Sequence, residues 1–186
     1  GAAEIHLFLN SGYYELPLDE LPPGKPIPVS VVSEAYKVIK SQGKLSIDSL
    51  MKLLARGAAL NSEFPTVRKC NYESNKHVVM VVGDLHGNFS DLSYILDNVG
   101  FPGDLNSYIF NGDFVDRGTR GVDILIMLIL MQLAFPDKVF LNRGNHEDIQ
   151  LNRGYGFFKE LLEYLSADET NVNKEYIYAF HYFFAS

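Results

Sequence analysis

The sequence predicts an α/β fold in which helices pack on a mainly parallel sheet. Three observations carry this reading. From residue 77 onward short apolar runs alternate with helical patterns. Each run stops at a polar, glycine-bearing cluster. The units repeat as strand, loop, helix three times over, and parallel strands need such crossovers, which in one sheet keep a right hand.

The elements follow in order. Residues 1–30 carry Pro17, Pro22, Pro23, Pro26 and Pro28 and little periodicity. This reads as an extended, polyproline-prone arm, either laid across the body or acting as a linker. Ser33 then stands as a cap before Ala35, Val38 and Ile39, one helical turn apart. Ser46 stands before Ile47, Leu50, Met51 and Leu54, the stripe of an amphipathic helix, and Gly43 separates the two as in a helical hairpin. Residues 77–82 (His, Val, Val, Met, Val, Val) form an unbroken, β-branched run, the pattern of a strand buried on both faces. A helix over 89–99 places Phe89, Leu92, Ile95, Leu96 and Val99 on one face. Further strands are expected at 107–110 and 138–141. A helix apolar over most of its surface spans 122–135, and a last one spans 155–165.

Composition bounds what such a chain does. With 186 residues, 47% apolar and 21% charged, it holds one ordinary core. A formal charge of −7 argues against a nucleic-acid partner, although a bound cation can still reverse the field locally for a phosphate. Cys70 is the only cysteine, so no intrachain disulfide exists and a reducing, cytoplasmic setting is the default, with the nucleus as a second compartment. The longest apolar run, residues 124–131, falls well short of the ~20 residues that span a bilayer. Gly1, Ala2 and Ala3 lack the charged start of a secretory signal.

Polar clusters close the three strands. The first is Gly83, Asp84, Leu85, His86, Gly87. The second runs from Asn111 through Gly112, Asp113, Asp116 and Arg117 to Gly118. The third is Asn142, Arg143, Gly144, Asn145, His146, Glu147. Ligands collect beyond the carboxyl ends of parallel strands, so the three loops should converge. Their residue types suit a binuclear metal site. Asp84 and His86 can bind one cation, Asp113 can bridge to a second, and Asn145 offers that second ion a carbonyl oxygen. Arg117 presents a fork for two phosphate oxygens. His146 suits a general acid, and Asp116 can hold its other ring nitrogen.

These motifs resemble the GDxHG, GDxVDRG and GNHE signatures of the phosphoprotein phosphatase family of serine/threonine phosphatases, in the family's order. Residues 151–157 lean towards its EF-hand and tetratricopeptide-repeat branch. The resemblance covers residues 33–165 and implies a calcineurin-like metallophosphoesterase fold, helices packed on a β-sheet sandwich, incomplete in this chain. It divides the chain into an arm (1–32) and the N-terminal part of a catalytic domain (33–186). Leading helices occupy 33–60 of that part, and the motif core occupies 77–165. It further implies two divalent ions (Mn, or Fe and Zn) on Asp84, His86, Asp113 and Asn145. Phosphate is held by Arg117 and Asn145, and His146 is the acid, oriented by Asp116. Glu147 is expected to be a buried structural hydrogen-bonder. Family members take two further histidines for the second metal and a second phosphate-binding arginine from later sequence. His181, in an aromatic setting, is expected only to pack, so the second metal lacks identifiable histidine ligands here. His6 and His77 are expected to be structural or exposed, and the late tyrosines and phenylalanines to pack.

Three functions fit. The first is hydrolysis of phosphoserine and phosphothreonine in phosphoproteins by a metal-bridged hydroxide, with regulatory partners unidentified. The second is the same chemistry on dinucleoside polyphosphates, against which Asp116, Arg117, Gly118 and Glu147 speak. The third is a non-catalytic pseudophosphatase or interaction protein, or an inactive fragment of an enzyme.

Overall fold

Parallel pairing organises the residues that the computed structural model describes, 12–72 and 74–186. His6 lies outside them. In chain order come β1 (Tyr13–Tyr14), a 3-10 turn (Leu18–Glu20), α1 (Val29–Lys40), β2 (Lys44–Leu45) and α2 (Ile47–Glu63). There follow β3 (Val78–Val82), α3 (Phe89–Val99), β4 (Asn106–Phe110), α4 (Gly121–Ala134), β5 (Val139–Leu141), α5 (Ile149–Tyr155), α6 (Phe157–Tyr164) and α7 (Lys174–Ala185). The sheets are β1–β2 and β3–β4–β5, both parallel. Helix α4 is buried over nearly its whole circumference, as its apolar sequence requires, and packs on α1, α2, α3, α6 and β5. At Gly57 the chains approach closely, since a Cβ there would lie 2.8 Å from Ile129 and 3.0 Å from Phe183.

Local expectations are borne out in part and corrected in part. The described part of the arm lies across the body: Leu16, Leu18 and Ile27 are buried, and Leu16 N–H donates to Ser49 Oγ at 2.8 Å. Strand β1 takes it out of a purely polyproline conformation by pairing with β2. Helix α1 starts at Val29 behind Pro28, not at Ser33. Proline, which has no N–H to leave unpaired, is well placed at a helix start. The Ser33 hydroxyl, inside the first turns, donates to Ser30 O. Ser46 does cap α2, accepting from Ser49 N–H. The 77–82 run is not buried on both faces: Val78 is 45% and Val81 63% exposed. Strand β3 is an edge strand, and the described helices leave part of its face open. The helix expected over 155–165 is α6, which begins two residues later because Gly156 adopts φ 117°, and the short α5 before it was not expected. Among the described residues, no helix is long and apolar enough to cross a membrane.

One half-buried carboxyl ties helices together. Glu160 of α6 accepts from the Gly121 and Val122 N–H groups at the start of α4, where no cap from the chain's own Arg120 exists. Burial pushes this carboxyl up to about 7, against the pull of the two N–H donors and with nearby Asp123 and Asp116 adding to the rise. The folded chain therefore keeps a proton that the unfolded chain has already released. Stability from this group falls as pH rises from 4.5 to about 7. Wild-type protein should lose up to about 3 kcal/mol over that window relative to Glu160→Gln, read by urea denaturation across the pH range. Parallel pH profiles for the two proteins would contradict the assignment.

Candidate active site

The strand register decides where the polar clusters meet. Val82 pairs with Phe110, and Phe110 pairs with Leu141, so all three strands end level. Three loops then leave side by side and bind one another through backbone. Leu85 and His86 N–H donate to Asp113 O at 3.1 and 2.9 Å, and Gly87 N–H donates to Phe114 O at 2.8 Å. Gly118 N–H returns a bond to His86 O at 2.9 Å. Two glycine pairs make this closeness feasible. A Cβ on Gly87 would strike Gly118, and one on Gly112 would strike Gly144.

Glu147 locks the second loop to the third. Its Oε2 accepts from Asp113 and Gly144 N–H at 2.8 Å each, and its Oε1 accepts from Phe114 N–H at 2.7 Å. Burial raises this carboxyl's pKa, and the three donors pull it back. Held in this way, His86, Asp113, Asp116 and Arg117 all take positive φ (42°, 54°, 69° and 67°), a conformation that costs non-glycine residues energy. Four strained residues inside one site mark it as a place where side-chain direction outranks local comfort.

Asp84, His86 and Asp113 form a metal-competent cluster, each offering a ligand atom within 4.8 Å of the others'. His86 Nδ1 lies 2.8 Å from Val115 O. A carbonyl can only accept, so Nδ1 carries the proton and Nε2 keeps the lone pair a cation needs. Nε2 is 3.8 Å from Asp84 Oδ2. Asp113 is half-buried, and its Oδ1 also accepts from His146 N–H at 3.0 Å, which ties the cluster to the third loop. The mixed nitrogen and oxygen donors fit a borderline divalent ion. Asn145 is exposed in the same loop as His146.

A buried histidine–carboxylate pair lies beside the cluster. His146 Nδ1 is 2.8 Å from Asp116 Oδ2, and both residues are buried. The His146 ring meets His86 edge-on at 4.7 Å and Tyr155 at 5.2 Å. Arg117, beside Asp116, is exposed, and its backbone N–H donates to Tyr155 O at 2.8 Å.

Two groups behind this pair escape sequence reasoning. Asn152, buried in α5, and the Phe157 N–H both bond the Asp116 carboxylate. An asparagine in a short helix sends no local signal of that duty. His181 stays apart from the cluster. It packs on Phe184 at 5.7 Å, and burial lowers its pKa. His77 pairs with Ser107 Oγ at 2.9 Å.

Comparison with known proteins places this geometry. The family model for calcineurin-like phosphoesterases matches residues 77–184. The chain is 43% identical over 123 residues to serine/threonine-protein phosphatase rdgC of Drosophila melanogaster, covering 66% of this chain and 18% of that protein. It is 36% identical over 135 residues to human serine/threonine-protein phosphatase 5, covering 73% of this chain and 27% of that one. A solved serine/threonine phosphatase from Saccharomyces cerevisiae, described as similar to human PP5, superposes with a TM-score of 0.75 at 26% identity, over 85% of this chain and 49% of its own. The chain thus spans less than a third of these two curated relatives and about half of that structure.

Gly144 offers a test of the cluster. It needs no left-handed backbone, yet a Cβ on it would strike Asp113. Gly144→Ala should weaken Mn²⁺ binding roughly 10- to 100-fold by titration calorimetry, the usual size of an indirect disturbance to a metal ligand. Unchanged affinity would mean that Asp113 is not a ligand.

Proposed function

This chain belongs to the calcineurin-like phosphoesterase family, and we propose that it is the metal-binding and acid-bearing part of a serine/threonine protein phosphatase. One observation carries the reading: the Asp84, His86 and Asp113 cluster stands beside a buried His146–Asp116 pair, with the two imidazoles 4.7 Å apart. The names of the relatives supply the substrate class, phosphoserine and phosphothreonine in proteins.

Asp84, His86 and Asp113 would hold a divalent ion, and Asp113 and Asn145 would serve a second. When bound there, divalent ions (Mn, Fe or Zn) would supply a more acidic water and charge compensation for the phosphoryl group. The chain's own groups do the rest. Arg117 and Asn145 engage phosphate oxygens. Asp116 holds the Nδ1 proton of His146 and stabilises its imidazolium, so the proton available for delivery sits on Nε2. That proton passes to the serine or threonine oxygen as its bond to phosphorus breaks, and the ring is left neutral. The strained loops keep these groups aimed before substrate arrives. No nucleic acid enters this account, since the net charge is −7. A cytoplasmic setting rests on the single cysteine.

The second metal's histidine ligands are not identifiable here, so the chain as given should retain one Mn²⁺ per molecule by elemental analysis. Two tightly held ions would show that other residues complete the site. In a longer chain with turnover, His146→Asn should lower kcat by about 10²- to 10⁴-fold with metal content unchanged. Asp113→Asn should lose metal and activity together. Equal metal loss in both variants would sink these roles. Faster hydrolysis of a dinucleoside tetraphosphate than of a phosphopeptide would favour the polyphosphate hydrolase instead.

A further inference from the structure

Asn152 has no part in the chemistry just described, yet it is 1% exposed at the heart of the site. Its Nδ2 donates twice, to Asp116 Oδ2 at 3.0 Å and to the His146 backbone carbonyl at 2.7 Å. Both amide hydrogens are thereby used on the two members of the acid–base pair. Its Oδ1 is buried and has no hydrogen-bond partner. Turning the amide over would aim that oxygen at a carboxylate and a carbonyl, so the acceptors dictate its orientation. A side chain chosen for packing alone would not leave a polar atom unmatched in the core. The duty must lie with the nitrogen.

Both oxygens of the carboxylate it serves are engaged. Asp116 Oδ2 takes His146 Nδ1 and Asn152, while Oδ1 takes the Phe157 N–H at 2.9 Å. The Phe157 donor is backbone at the start of α6 and comes with the fold. Among the described residues, Asn152 supplies the one side-chain donor, other than His146 itself, that directs the carboxylate, and it also anchors the His146 main chain. We infer that Asn152 is a positioning residue, its amide clamping Asp116 and the His146 carbonyl so that the imidazole stays an Nδ1–H tautomer. This rests on the phosphatase reading for its catalytic meaning but not for its structural test.

The structural test is the tautomer. In histidine-¹⁵N-labelled chain at alkaline pH, where neutral imidazole prevails, two-bond ¹H–¹⁵N spectra should show His146 of the wild type with its proton on Nδ1. In Asn152→Leu, similar in size and without donors, a second population with the proton on Nε2 should appear for His146. His86, held by the Val115 carbonyl, should be unchanged and reports that the site is folded. If the leucine variant fails to fold, Asn152→Ser is read in the same way. An unaltered His146, or equal change at His86, would overturn the inference, the latter by showing a merely packing role.

The catalytic test separates the two readings. In a longer chain with turnover, Asn152→Leu should reduce kcat for phenyl phosphate roughly tenfold more than for p-nitrophenyl phosphate. Only the poorer leaving group depends on a well-held acid. An equal loss on both esters would overturn the positioning role. Absence of turnover in the wild type would count against the phosphatase reading alone, since the spectra decide on Asn152 by themselves.

Discussion

Everything in the site hangs on one buried carboxylate. Glu147, 1% exposed, accepts three backbone N–H groups from two loops that leave neighbouring strands. An unpaired carboxylate at such depth would be strongly unfavourable, and charge-assisted bonds to backbone are the recognised compensation. Because two of its donors belong to Asp113 and Phe114, the bond set holds the turn in which Asp113 takes φ 54°. That turn in turn offers Asp113 O to Leu85 and His86. The metal-competent cluster is thus assembled from outside, by hydrogen bonds made on the far side of its backbone.

A similar economy governs the acid–base pair. Asp116 is placed by groups from α5 and α6, elements that follow it by more than 30 residues. Glu160 of α6 also closes the start of α4, the helix that directly follows the Asp116 loop. The loop is therefore gripped at both ends by the same helical pair. Gly156 lets that pair bend sharply enough to reach, with a backbone no other residue adopts readily. Exposure is distributed accordingly: Asp84, Arg117 and Asn145 face solvent, whereas Asp116, His146, Glu147 and Asn152 do not. Side chains proposed to meet ions or phosphate stay accessible, and those that orient them are sealed.

Much of the fold was legible because strands and helices announce themselves by local period. The helix expected over 89–99 is α3 to the residue, and the strands and the 122–135 helix fall within one residue of β4, β5 and α4. One misreading has a cause outside the strand itself. Whether Val78 and Val81 are covered depends on what packs above the sheet, not on their being valines. The choice between the arm's two readings likewise turns on a partner distant in sequence, Ser49. Helix α7 went unread, although Ile177, Phe180 and Phe184 recur at helical spacing behind the capping Asn173.

By itself the sequence determined the kinds of chemistry available. Residue types suited to binding metal or phosphate and to moving protons stand at the ends of three apolar runs, and spacing of that sort is a local property. Only tertiary structure decided how these groups stand to one another. It set which nitrogen of His86 keeps its lone pair, how Asp116 is oriented, and that Asn152 belongs to the site at all. Those matters are settled by hydrogen bonds across loops and helices far apart in the chain. A hydrogen bond is a relation between two positions in space, and no reading of either residue alone contains it.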